Sequence, residues 1–143
     1  MATELDHRFS TTKTIDESWK AITDLERVVP AVEGGRVTET IGPGEVKAEI
    51  VLRMGAMSMK FLGTVEVAEQ DEGAHRAVVR VKSREAGGQG HANADVTFQL
   101  EEGGGAIHTK AQITGKAASM GEGVVIGVLD GLITDFTGRL GEI

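Results

Sequence analysis

Four histidines, His7, His75, His91 and His108, are the side chains best suited to hold a metal in a chain without cysteine. No two of them stand at i, i+2 or i, i+4, and a bound ion needs three or four converging ligands held by further hydrogen bonds. No metal site is expected. By strand alternation His91 and His108 fall on the wet face of neighbouring strands, where a cross-strand pair could form. The carboxylate pairs Asp71-Glu72 and Glu101-Glu102 coincide with turns and strand ends, where water solvates them. A Ser-His-Asp triad could be drawn only by arbitrary choice, because neither a strand-to-helix nucleophile elbow nor an oxyanion loop is present. Gly87-Gly88-Gln89-Gly90 is followed by no Lys-Ser/Thr and opens no helix, so it is a flexible turn or the rim of an opening and not a phosphate loop. No catalytic residue emerges, and a cyclase or hydrolase reading lacks any acid-base pair with tuned neighbours. No enzyme is expected.

The remaining chemistry is apolar. Met54, Met57 and Met59 gather around one hairpin and Met120 precedes a helix; methionine either fills core gaps or lines adaptable apolar sites. Asp135 and Arg139 stand at i, i+4, as a surface ion pair or an anchor at a cavity mouth.

The element that would position these groups is the stretch from Ala117 to Ile143, which predicts one long helix. Met120, Val124, Val125, Val128, Leu129, Leu132, Ile133, Phe136 and Leu140 recur at the spacing of one helix face. With Ile126 at its margin this arc spans roughly 200°, about twice the stripe needed to dock on one sheet. Beside it run Gly123, Gly127 and Gly131, although an interior glycine costs roughly 1 kcal/mol relative to alanine. Either the helix is deeply buried and its glycines allow close packing, or it covers an apolar cavity and must move.

At 143 residues the chain has the length of one domain, residues 1–143. A formal charge of -7 argues against a nucleic-acid surface, which needs clustered Lys and Arg. The start MATELDHRF lacks the basic and apolar regions of a signal peptide, and no run reaches membrane-spanning length, so a cytoplasmic domain is expected. Aromatic residues make up only 3%, so Val, Ile, Leu and Met must fill the core or leave it partly open.

Thr3 to Ser10 alternates with Leu5, His7 and Phe9 on one side, a first strand. Thr14 with Glu17 forms a capping box ahead of Ile15, Trp19, Ile22 and Leu25, a short helix. Leu25 to Val32 predicts a second, bent at Asp24 and broken by Pro30. Strands follow at Arg36 to Ile41, Glu45 to Met54, Met57 to Glu69, Ala74 to Glu85, His91 to Glu102 and Ala106 to Lys116, joined by glycine turns as an antiparallel meander. Such a sheet, wet on one side, must cover the other, and only the last helix is large enough. The expected fold is α+β: a curved antiparallel sheet wrapped around a long C-terminal α-helix, with two short helices after strand 1. Small inward residues (Ala48, Gly63, Ala77, Ala92, Ala94, Ala111) leave the concave side short of volume, to be closed by curvature or by a guest.

The Trp19 helix with Pro30 downstream, the hairpin Met54 to Gly63, the run Gly87-Gly88-Gln89-Gly90-His91-Ala92-Asn93-Ala94 and the helix entry Thr114-Gly115-Lys116-Ala117 with Met120-Gly121 together resemble the helix-grip (SRPBCC, START-like) superfamily, and within it the carbon monoxide dehydrogenase CoxG family. The chain departs from the family pattern at Val28-Val29-Pro30-Ala31, where relatives often carry a cysteine and then Pro-Gly. The resemblance implies a cavity under the long helix, and association with a molybdenum-containing CO dehydrogenase or related hydroxylase at the inner face of the cytoplasmic membrane. It also implies that relatives continue past the closing helix into a variable tail that contacts membrane.

Two functions fit this expectation. One is a binding protein that shields an elongated apolar lipid, best a respiratory quinone such as menaquinone, with no covalent cofactor. Trp19, Leu52, Met57, Met59, Phe61, Phe98, Val125, Val128, Leu129, Leu132 and Phe136 would line its pocket, and polar atoms at the mouth would orient the head. The other is an assembly or membrane-recruitment factor without a guest, whose apolar helix face is a protein interface. A hollow interior distinguishes the first from the second.

Overall fold

The computed structural model describes residues 1–143. The chain forms β1 (Ala2–Ser10), α1 (Ile15–Ile22), α2 (Leu25–Ala31), β2 (Gly35–Gly42), β3 (Glu45–Met54), β4 (Met57–Asp71), β5 (Arg76–Glu85), β6 (His91–Glu101), β7 (Gly104–Ile113) and α3 (Glu122–Arg139). The seven strands make one antiparallel sheet in the order β1-β7-β6-β5-β4-β3-β2. The meander thus runs from β2 to β7, and β1 closes its far edge by pairing with β7. The two short helices carry the chain from one edge to the other. This is the helix-grip architecture expected from the alternation and the length of the closing helix.

Local chemistry sets the helix ends. Thr14 Oγ1 accepts from the Glu17 N–H at 3.1 Å and Glu17 Oε1 accepts from the Thr14 N–H at 3.3 Å, so the capping box fixes the start of α1. Asp24, read as a bend, is instead the N-cap of α2, accepting from the Glu26 N–H at 3.2 Å. Pro30 sits inside the last turn of α2, and the helix runs one residue beyond it to Ala31.

The last segment is not one helix from Ala117. A 3-10 turn at Ala118–Met120 is followed by Gly121 at φ 104°, a conformation that side chains other than glycine rarely adopt, and α3 begins only at Glu122. Met120 therefore lies outside the helix face, and Leu140 opens a terminal 3-10 turn, Leu140–Glu142.

Two apolar clusters hold the sheet to its cover. The larger joins Phe9, Trp19, Ile22, Leu25, Val28, Phe98, Ile107, Phe136 and Leu140. The smaller joins Leu52, Met54, Met59, Phe61, Ile113, Ala117 and Val125, at the start of α3. Between them β4 bends at Gly63, where a Cβ would fall 1.9 Å from the Lys82 carbonyl oxygen, and slips register between Val67 and Glu69.

The expected His91 and His108 pair does not form: His91 lies opposite Arg84 and His108 opposite Thr97, so strand register separates them. His108 instead ties β7 to β1 on the outer face. Its Nδ1 lies 2.6 Å from Asp6 Oδ1 and its Nε2 3.0 Å from Glu4 Oε1. The hydrogen bond to Asp6, then that to Glu4, raises its pKa above the ordinary 6.5. A raised folded-state value contributes stability that is fully present below about 6.5 and lost as pH climbs through the folded value. His108 should titrate above 6.5 by NMR, and the wild-type urea midpoint should fall from pH 6 to 8 by a small margin that His108→Gln abolishes.

Candidate functional site

The inner face of the sheet is built from short side chains where it passes under α3. Ala48 on β3 stands opposite Gly63 on β4, and Ala94 on β6 opposite Ala111 on β7. Above them α3 presents Leu129, Leu132, Ile133 and Phe136, and the flank is closed by Val28 and Val29 of α2 with Val32 beyond. Side chains this short do not reach the helix. The result is an apolar cavity of about 230 Å³, far larger than the voids of a packed interior.

Its polar groups are few. Ser83 Oγ donates to the Ala92 carbonyl, and the Ser83 N–H donates to Asn93 Oδ1 at 3.1 Å. Glu49 borders the cavity but pairs with Arg36 at 2.8 Å. Thr109, between Ile107 and Ala111 on β7, is 4% exposed, lines the wall, and has no hydrogen-bond partner for its Oγ1.

Of the residues expected to line a pocket, Leu52, Phe61, Phe98, Leu129, Leu132 and Phe136 face the cavity. The other five lie elsewhere. Trp19 packs in the larger cluster with its ring edge-on to His75, centroids 5.8 Å apart. Met59 and Val125 are buried in the smaller cluster, Val128 packs against it, and Met57 is half-buried at the hairpin tip. Sequence reasoning missed the α2 flank (Val28, Val29, Val32) and Thr109. The alternation that turned Ile107 and Ala111 inward also turns Thr109 inward, but nothing in a single sequence marks its hydroxyl as unbonded.

The lid is held loosely. Only Val125 and Phe136 of α3 are buried, and Val124 is 40% exposed. The glycine row does not serve close packing: a methyl group at Gly123, Gly127 or Gly131 would meet no atom within 4 Å. The expectation of a deeply buried helix with packing glycines is therefore corrected, since these positions face open space. One side-chain hydrogen bond joins α3 to the sheet, between His7 Nε2 on β1 and Asp130 Oδ1 at 2.7 Å. Asp135 and Arg139 form the expected i, i+4 pair at 3.0 Å, away from the cavity wall. A larger trough on the outer face, bordered by Arg80, Lys82, Asp95 and Lys110, is open and charged, a surface of ion pairs such as Arg80 with Asp95 at 2.9 Å. No cluster of three His, Asp or Glu converges, and no helix is long and apolar enough to cross a membrane.

The carbon monoxide dehydrogenase family CoxG matches residues 8–142. A conserved protein from Geobacillus kaustophilus superposes with a TM-score of 0.80 at 22% identity, over 99% of this chain and 93% of that one. An aromatase/cyclase, ZhuI, from Streptomyces sp. R1128 superposes at 0.64 with 13% identity, over 98% and 94%. A START superfamily protein from Mycobacterium smegmatis does so at 0.63 with 9% identity, over 97% and 96%. At these identities the likenesses establish the fold alone. No curated protein matches the chain.

Because the methyl of an alanine would meet only solvent, Gly127→Ala should raise stability by about 0.4–1 kcal/mol in urea denaturation, through a stiffer helix and a less free unfolded chain. Gly131→Ala should add a similar increment. A loss of stability in either variant would mean that the glycines are packed after all.

Proposed function

Because the chain belongs to the carbon monoxide dehydrogenase CoxG family, we propose that it is a non-enzymatic carrier: it holds an elongated apolar molecule, a respiratory quinone such as menaquinone, under α3 and links a molybdenum-containing CO dehydrogenase or related hydroxylase to the membrane quinone pool. The single observation that carries this reading is the cavity of about 230 Å³ between sheet and lid. An apolar cavity of about 150 Å³ already binds benzene, so this one admits a group of one or two rings. Whole-ligand pockets run to about 300–1,000 Å³. A tail can follow the ring only if α3 lifts, and a lid with two buried residues and a row of solvent-facing glycines is suited to lifting.

The wall itself supports carriage without chemistry. Its one bordering carboxylate, Glu49, is engaged by Arg36, and its inward polar atoms are hydroxyls. Nothing there is placed to give or take a proton. A filled interior would have favoured the assembly-factor reading; the hollow favours the carrier.

Membrane contact draws support from the outer face. Arg53, Lys60, Lys82 and Arg84 occupy successive rows of β3, β4 and β5, none of them ion-paired, although the chain carries -7 overall. Among them Val51 and Leu62 are 37% and 39% exposed. Cations around exposed apolar side chains suit an anionic bilayer surface, at about 1 kcal/mol per Lys or Arg.

Purification from a membrane-bearing host without lipid removal, followed by organic extraction and mass spectrometry, tests the carrier. A quinone should be recovered, and Ala48→Leu, which fills the cavity, should raise stability by about 0.5–2 kcal/mol while abolishing recovery. Undiminished recovery from a folded Ala48→Leu would place the guest elsewhere. In flotation with vesicles of phosphatidylglycerol mixed into phosphatidylcholine, the chain should bind and lose binding in salt, and Arg53→Glu with Lys60→Glu should weaken it at least about tenfold, as the loss of two cations at about 1 kcal/mol each requires. Equal binding to pure phosphatidylcholine would show that the outer-face cations play no part in it.

A further inference from the structure

The carrier reading leaves open which end of the guest enters the cavity and what holds it there. Thr109 sits near the middle of β7, opposite Leu5 on β1 and Val96 on β6, with its side chain on the inner face. It is only 4% exposed, and its hydroxyl has no partner within the fold. Buried hydroxyls are nearly always bonded, and valine would fill the same space without the penalty of an orphan donor. Ser83, the other inward hydroxyl on this wall, spends its proton on the Ala92 carbonyl. Thr109 Oγ1 is thus the one buried orphan atom on an otherwise apolar wall.

The surroundings add a shape to this chemistry. Three of the chain's four phenylalanines, Phe61, Phe98 and Phe136, line the same cavity, and the rings of Phe98 and Phe136 meet edge to face with centroids 6.2 Å apart. Aromatic walls favour a planar ring, which they contact by edge or offset face. The volume points the same way, since about one and a half times a benzene-sized cavity holds a bicyclic head and not a long tail.

Resting on the carrier reading, we propose that Thr109 is the polar anchor of a ring subsite: the guest enters ring first, and an oxygen on that ring hydrogen-bonds Thr109 Oγ1 while the apolar tail trails outward beneath α3. A hydroxyl both donates and accepts, so the anchor serves a ring carbonyl and a ring hydroxyl alike. The subsite therefore takes quinone and quinol forms, and it places the polar head deep in the cavity, the reverse of the orientation expected from the sequence.

Isothermal titration of the delipidated full chain with 2-methyl-1,4-naphthoquinone and with 2-methylnaphthalene separates anchor from carrier. Wild type should bind the quinone about tenfold more tightly than the hydrocarbon, the ratio one good hydrogen bond supplies. Thr109→Val should lose that tenfold for the quinone only, with a thermal midpoint equal to or above wild type, and Thr109→Ser should keep most of it. Equal affinity of Thr109→Val and wild type for the quinone, a parallel loss for both probes, or a lowered midpoint would each overturn the anchor while leaving the carrier in place. Failure of wild type to bind either probe would overturn the carrier reading itself, and the anchor with it.

Discussion

A sheet of seven strands at about 4.8 Å spacing spreads roughly 29 Å, whereas an α-helix with its side chains is only about 10–12 Å across. The chain contains a single long helix with which to cover that width. This mismatch governs everything else. A flat sheet would leave most of its apolar face wet, so the sheet must curl around the helix. The curl is written into the backbone at Gly63, which has room for no side chain against β5, and at the register slip beyond it. The two short helices close one end of the trough with Trp19, Ile22, Leu25 and Val28.

Curling solves the coverage problem only in part. Where a large side chain stands under α3, as at Phe98 or Phe61, sheet and helix meet; where Ala48, Ala92, Ala94 or Ala111 stands, they do not. The hollow is therefore the sum of several small residues on different strands and not the work of any one of them. The same distribution divides the molecule energetically. The end around Trp19 and Phe136 is tightly clustered, whereas the helix above the alanines is half-exposed along most of its length and gains nothing from its glycines. Local stability in proteins is uneven, and moving parts come from the weakly held end of the range.

Much of the fold was legible because it depends on local patterns. The span Glu45–Met54, the box between Thr14 and Glu17, and the inward rows of the strands follow from alternation and capping chemistry that neighbouring residues define. What the sequence concealed depends on register or on backbone geometry. Gly121 could have continued a helix in which Gly123 and Gly127 already stood, and only its left-handed conformation ends the 3-10 turn there. The separation of His91 from His108 is a matter of which residue pairs with which, and alternation alone cannot supply that. The cavity lining was half legible for the same reason: residues whose face is fixed by strand period, such as Leu52 and Phe98, were found. Methionines and valines at the open end of the helix, such as Met59 and Val125, pack among themselves in the smaller cluster. Thr109 was hidden because its significance lies in a missing partner, a property of the assembled sheet.

The contact between His7 and Asp130 is directional, while the apolar contacts along the rest of the lid are not. A rod secured by one oriented bond along one margin yields by pivoting about that margin, in the manner of a door on its hinge. The hinge here is the β1 side, so the gap widens on the opposite side, toward α2 and β2. Traffic in and out of the trough then has a preferred direction, and a docking enzyme that receives the guest would have to approach the flank formed by Val29, Val32 and Gly35.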